Sequence, residues 1–291
     1  VTREYLLALG SPGKKVILTI LNFEFMTSII IDSPDDKELN ARLRLMLRNF
    51  RQNEGLRQAF SNRFPAELTY HSTAIEGSTL TLDEVRAVVG TNQRIPGKPD
   101  LHWLMVKDYY EALLFVGQSV RHDHRLTVDF ICEIASRVMH STGSLHKTIL
   151  GEFDEAKGQL RLHNVQADGQ YFLGYDKVVS ALHEYVLKTE SLLKEVSAEK
   201  DHHPTSILKV FWKAHYDFLS IHPFGDGNGR TARLIMDYLF ARVGFPPCIV
   251  HVEDRELYIS SLRKAHQTGD YKSLTSFMNN QYLKSLAFYS S

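Results

Sequence analysis

A chain of 291 residues with 34 basic and 34 acidic side chains has no formal net charge, which argues against a nucleic-acid binder, since such proteins gather basic residues against phosphates. A hydrophobic fraction of 43% is enough for a real core and excludes global disorder. The two cysteines, Cys132 and Cys248, fall outside any CxxC or Cys/His ligand spacing, so the expectation is two reduced thiols in a cytoplasmic setting rather than a zinc site.

Residues 16–31, rich in Ile, Leu, Phe and Thr, read as one or two short strands of an N-terminal extension. Asn22 and Glu24 interrupt that stretch as a membrane span, and no signal-peptide cleavage pattern follows it. From Lys37 the pattern turns helical, with Leu39, Leu43, Met46, Leu47 and Phe50 on one face. A second helix is predicted over roughly 53–76, ended by Gly77. Thr81-Leu82-Asp83-Glu84 reads as a capping box opening a helix that runs to Gly90. A polar loop over 91–99 precedes a long helix, capped by Asp100 and reaching Val120, and Thr127 caps another that reaches His140.

Between Gly151 and Gly174 the glycines and alternating residues predict a hairpin, with Gln159 to Ala167 as one arm and Asp168-Gly169 near its turn. Helical spacing returns over 177–196, 205–219 and 229–243, the last stopped by Pro246-Pro247. The tail from Glu253 to Phe288 reads as two further helices. The fold class is mainly α with a small β element inserted.

The chemistry concentrates in His222-Pro223-Phe224-Gly225-Asp226-Gly227-Asn228-Gly229-Arg230-Thr231-Ala232-Arg233, between two apolar helices. Gly225, Gly227 and Gly229 let the backbone turn tightly and approach a ligand. The helix that begins here points its free N–H groups and positive dipole end at the loop, a ready anion site. Arg230 and Arg233 add planar forks suited to phosphate oxygens, and Asp226 is a hard oxygen ligand suited to Mg²⁺. His222 is the one side chain of the stretch that exchanges a proton near neutral pH. The segment is not a P-loop, because GK[ST] is missing, nor a dinucleotide fingerprint, because the GxGxxG spacing is absent.

This stretch resembles the signature of the Fic family, HxFx[DE]GNGRxxR, and matches it at every specified position. The resemblance spans about residues 100–286. It implies a Fic-fold helical bundle over 100–291, with a hairpin flap, preceded by an extension over 1–99. It further implies a nucleotidyltransferase that moves AMP from ATP onto a hydroxyl side chain of a target protein. In that scheme His222 deprotonates the acceptor, and Asp226 holds Mg²⁺ against the α- and β-phosphates. Backbone N–H groups over Gly227 to Gly229, with the Asn228 side chain, stabilise the α-phosphate. Arg230 takes the β-phosphate, Arg233 the γ-phosphate, and Phe224 packs inward to fix the loop. Family members that transfer a terminal phosphate carry lysine in place of Gly229, so glycine points to AMP transfer with loss of pyrophosphate.

Ser72-Thr73-Ala74-Ile75-Glu76-Gly77 resembles the family's inhibitory motif, [ST]xxxE[GN], at the end of a predicted helix. The implied role of Glu76 is to occupy Arg233 and displace the γ-phosphate, with Ser72 bonding within the same site and Gly77 ending the helix. The resemblance also places a target-docking flap at Arg161, Asn164 and Val165, where an extended target segment adds a strand. Tyr258 falls near the position of an adenine contact, and His215 reads as a hydrogen-bonded core residue. Alternatives are another nucleotide donor, removal of AMP from the target with help from Glu76, or a non-catalytic interaction module. The target protein stays unidentified and the oligomeric state open, a homodimer included.

Overall fold

In a computed structural model of the chain, residues 34–167, 170–198 and 203–290 are described, and they belong to one packed unit. The strands expected over 16–31 and the turn at Asp168-Gly169 lie outside the described residues. Helix α1 (Pro34–Gln52) buries Leu43 and Leu47, as its spacing predicts. Helix α2 (Glu54–Ile75) contains Pro65, whose carbonyl accepts from Thr69 Oγ1 at 2.7 Å. It stops where Gly77 turns to φ 98°, a left-handed conformation that a side chain would strain.

Thr81 caps α3 (Leu82–Thr91) with the reciprocal capping box expected from the sequence: its hydroxyl accepts from Glu84 N at 3.3 Å, and Glu84 Oε2 accepts from Thr81 N at 2.7 Å. Helix α4 (Asp100–Arg121) has Pro99 at its cap, so Asp100 is the first helical residue rather than the capping one. Thr127 does cap α5 (Val128–Val138), accepting from Phe130 N at 3.0 Å.

The β content differs from the expectation. Strand β1 (Leu145–Thr148) pairs antiparallel with β2 (Gly151–Asp154), a hairpin the sequence reading missed because Ile149-Leu150 carries no turn signature. The segment expected as a long arm, Gln159 to Ala167, is strand only at β3 (Gln166–Ala167), which pairs with β4 (Gln170–Tyr171). The reason is local. Arg161 N donates to Pro223 O at 3.1 Å, and the Asn164 side chain accepts from Tyr175 N at 3.1 Å, so this stretch is bonded to other elements rather than to a partner strand.

Helices α6 (Tyr175–Ala198), α7 (Pro204–Ile221), α8 (Asn228–Arg242), α9 (Arg255–Thr268) and α10 (Lys272–Ser290) complete ten α-helices among the described residues, which makes the fold mainly α. The core centres on α7 and α8. Every residue of α8 from 228 to 240 is buried except Gly229, so this helix is enclosed on all sides. Asn40 on α1 accepts from Thr205 N at 3.0 Å and from Thr205 Oγ1 at 2.8 Å, tying the first helix to α7. A smaller cluster of Leu80, Val85, Val88, Trp103 and Val106 packs α3 against α4. Among the described residues, no helix is long and apolar enough to cross a membrane.

Candidate active site

The turn from α7 into α8 is built around an unusual backbone conformation. His222 caps α7 with φ 51°, left-handed although it carries a side chain. Arg161, only 1% exposed, holds this turn. Its Nε donates to His222 O at 2.7 Å, Nη1 to His163 O at 2.7 Å, and Nη2 to Leu173 O at 2.5 Å and to Ile221 O at 3.3 Å. The expectation that Arg161 faces a target is therefore corrected: it is a buried strut under His222. Asn164 is exposed, but its side-chain oxygen serves α6, and Val165 O accepts from Phe172 N at 3.3 Å.

Phe224, 2% exposed, anchors the loop in the core, as expected. Asn228 closes the loop on itself. Its Oδ1 accepts from Phe224 N at 3.0 Å and its Nδ2 donates to Phe224 O at 2.9 Å. These two bonds fix the loop, and the Asn228 Nδ2 keeps a second N–H beyond the one spent on Phe224 O. Gly227 takes φ 77° at the start of α8, and a Cβ there would stand 2.7 Å from Met139 Sδ, so only glycine suits the position.

The charged residues converge from three elements. Asp226 lies at the lip with 68% of its side chain exposed; its Oδ1 accepts from Gly227 N at 2.6 Å and its Oδ2 lies 3.3 Å from Arg230 Nη2. Arg230 is 2% exposed, yet its Nε and Nη1 have no hydrogen-bond partner, leaving buried donors ready for an anion. Arg233 Nε donates to Ser72 Oγ at 2.7 Å, and its Nη2 reaches Ser72 O at 3.0 Å and Glu76 Oε1 at 2.6 Å. Burial pushes the Glu76 carboxyl upward, but the charge and hydrogen bond of Arg233, with Arg230 and Arg255, outweigh it and hold the group below the ordinary carboxylate range.

A cavity of about 220 Å³ opens in front of these groups, lined among others by Glu76, Phe172, His222, Gly229, Arg233 and Tyr258. His222 Nδ1 lies 3.3 Å from Leu219 O, and a carbonyl only accepts, so Nδ1 carries the proton and Nε2 keeps its lone pair. Burial lowers its pKa to about 4, with the Leu219 bond opposing, so the ring is neutral at pH 7. Behind the cavity, His215 Nδ1 faces Ala232 O at 3.3 Å and Nε2 faces Tyr258 Oη at 2.6 Å. His215 is 2% exposed and pushed down to about 3 by burial, so it stays neutral, donates to the carbonyl and accepts the tyrosine proton.

Residues 125–240 match the model of the Fic/DOC family. The chain carries a Fic domain. It is 33% identical over 210 residues to a protein adenylyltransferase Fic from Nematostella vectensis, a match covering 72% of this chain and 45% of that protein. It is also 33% identical over 216 residues to protein adenylyltransferase fic-1 from Caenorhabditis elegans, covering 72% of this chain and 38% of that one. The chain thus spans less than half the length of these curated relatives. A solved structure of Fic-1 from C. elegans, residues 134–508, superposes with a TM-score of 0.72 at 27% identity, covering 88% of this chain and 72% of that one.

Around the Fic domain's cavity, two contributors escaped the sequence reading. Arg255 Nε donates to Ile75 O at 2.8 Å, bracing the end of α2 from the first residue of α9. Phe172 stacks on His222 with ring centroids 3.9 Å apart and planes at 18°. Neither belongs to a motif. Only the long-range packing of α2, α9 and the β3–β4 hairpin brings them to the site.

Proposed function

We propose that the Fic domain transfers AMP from ATP to a hydroxyl side chain of a target protein and that Glu76 holds it inhibited. The observation that carries this reading is the 2.6 Å pair between Glu76 and Arg233, beside His222 and above the open end of α8. The acceptor O–H gives its proton to His222 Nε2 while its oxygen attacks the α-phosphorus. The bond from that phosphorus to the bridging oxygen breaks, and pyrophosphate leaves. The α8 N-terminus and the free donors of Arg230 offer the anion site for the phosphates. An anionic triphosphate beside His222 raises its pKa from about 4 toward the working range of a general base.

Asp226 suits Mg²⁺. It is a single exposed carboxylate at the lip, and among the described residues no cluster of three or more ligand side chains is found, which fits an ion held mostly by phosphate oxygens and water. When bound, the ion would neutralise charge on the phosphates. Inhibition follows from occupancy. With Glu76 on Arg233, the guanidinium is not free to receive the γ-phosphate, and ATP is not aligned for in-line attack. We further assign target docking to the flap around Asn164 and Val165, by strand addition.

A second reading is favoured by one detail. Glu76 Oε2 has no hydrogen bond among the described residues, and it is available to orient a water that removes AMP from the modified target. The test uses ATP labelled at the α- or γ-phosphate. Glu76→Gly should raise incorporation of the α label by about tenfold or more, with no γ label transferred. His222→Ala should abolish it. Equal labelling by wild type and Glu76→Gly would refute the inhibitory role, and transfer of the γ label would refute AMP transfer. Release of AMP by wild type, lost in Glu76→Gly, would establish the second activity.

A further inference from the structure

We propose that Phe172 is a positioning residue for His222, fixing the plane of the imidazole and covering one of its faces so that Nε2 is presented to the cavity in a single orientation. This rests on the reading of His222 as the general base.

The rings lie 3.9 Å apart with an 18° tilt, a face-to-face contact rather than a passing one. A ring packed face to face against the imidazole favours the orientation that keeps the two planes aligned. The only hydrogen bond to the ring among the described residues is the 3.3 Å contact of Nδ1 with Leu219 O, which leaves rotation about the Cβ–Cγ bond weakly held. The stack supplies the missing restraint.

Arg161 explains why the stack forms. Its guanidinium binds His222 O and also Leu173 O, the carbonyl next after Phe172. Base and cover are thus hung from one buried anchor, and their separation is set by a rigid fork. Phe172 is held from the other side by its N–H bond to Val165 O at 3.3 Å.

The cover also bears on protonation. Burial is the leading influence on His222. Arg161 adds to it by disfavouring the charged form, while Leu219 O, Asp226 and Glu76 favour that form. Taking the phenyl ring away admits water to one face of the imidazole and weakens the leading influence.

The test follows the His222 ring resonances by NMR in the ligand-free protein, so its outcome does not depend on turnover. In Phe172→Ala the titration midpoint should rise by about one unit or more toward the ordinary histidine value, and the ring signals should broaden or double. Phe172→Tyr should keep the wild-type midpoint, and Phe172→Leu should show a partial rise. In the Glu76→Gly background, Phe172→Ala should lose kcat/KM about twofold more at pH 5 than at pH 8. An unchanged midpoint and ring signals in Phe172→Ala, or in Phe172→Leu if the alanine variant fails to fold by circular dichroism, would overturn the proposal. If His222→Ala still transfers AMP, the base reading fails, while the NMR result still decides whether Phe172 positions the ring.

Discussion

Gly229 faces Glu76 so closely that a Cβ at position 229 would stand 2.3 Å from Glu76 Oε1 and 3.3 Å from Arg233 Nη1. The carboxylate therefore rests directly over the first turn of α8, where the unpaired N–H groups and the positive helix end favour an anion. A glycine at this point serves the ion pair as well as any incoming phosphate.

Gly229→Ala should accordingly have opposite effects in two backgrounds. With Glu76 present, the added methyl displaces the carboxylate from Arg233 and should destabilise the protein by about 1–2 kcal/mol. With Glu76→Gly the obstruction is gone, and alanine in a helix should stabilise by roughly 0.5–1 kcal/mol. Urea denaturation of the four proteins measures this coupling, and additive changes would refute the contact.

Asp237 sits one turn beyond Arg233 on α8, 4% exposed, with both carboxyl oxygens lacking a hydrogen-bond partner. Burial raises its pKa well above 3.8, and the Arg233 charge offsets this only in part. The folded chain thus keeps a proton that the unfolded chain releases, so stability falls as pH rises above the ordinary carboxylate range. Asp237→Asn cannot ionise in either state. It should melt at a higher temperature than wild type at pH 8, with the difference closing as the pH approaches 4. Thermal melts across that range check the sign, and a gap that widens toward acid would refute it.

Arg161→Lys should be far from conservative. Lysine replaces a fork that meets four carbonyls with a single ammonium, so several buried acceptors lose their donor. The expected loss is about 3 kcal/mol or more, from several unmet carbonyls at about 1–3 kcal/mol each less what lysine recovers. In a Glu76→Gly background kcat should fall while ATP affinity changes little, because the strut acts through His222. Denaturation and calorimetric titration with ATP separate the two effects.

The helices were legible because their signals are local. The Thr81 capping box, the Thr127 cap and Gly77 all act within one turn, and each stands where the sequence placed it. The convergence of Ser72, Glu76 and Arg233 was legible only through a motif, since 157 positions of chain separate Glu76 from Arg233. Arg161 was misread because a surface residue and a buried strut look alike in sequence; only the inward carbonyls of His222, Ile221, His163 and Leu173 reveal the difference. The loop-closing bonds of Asn228 were not legible for a related reason, since nothing in the sequence marks its amide as a partner of Phe224 four residues away. The β1–β2 hairpin turns on Ile149 and Leu150, residues with no turn preference, so pairing rather than turn chemistry defines it.

The bond from Arg255 to Ile75 O makes α2 and α9 a single jointed frame, with Glu76 at one end and Tyr258 along the other. With the adenine beside Tyr258, as the family resemblance implies, this joint couples nucleotide binding to the position of Glu76. Thermodynamic linkage makes this reciprocal: to the extent that release of Glu76 tightens the hold on nucleotide, bound nucleotide weakens the grip of Glu76 by the same factor.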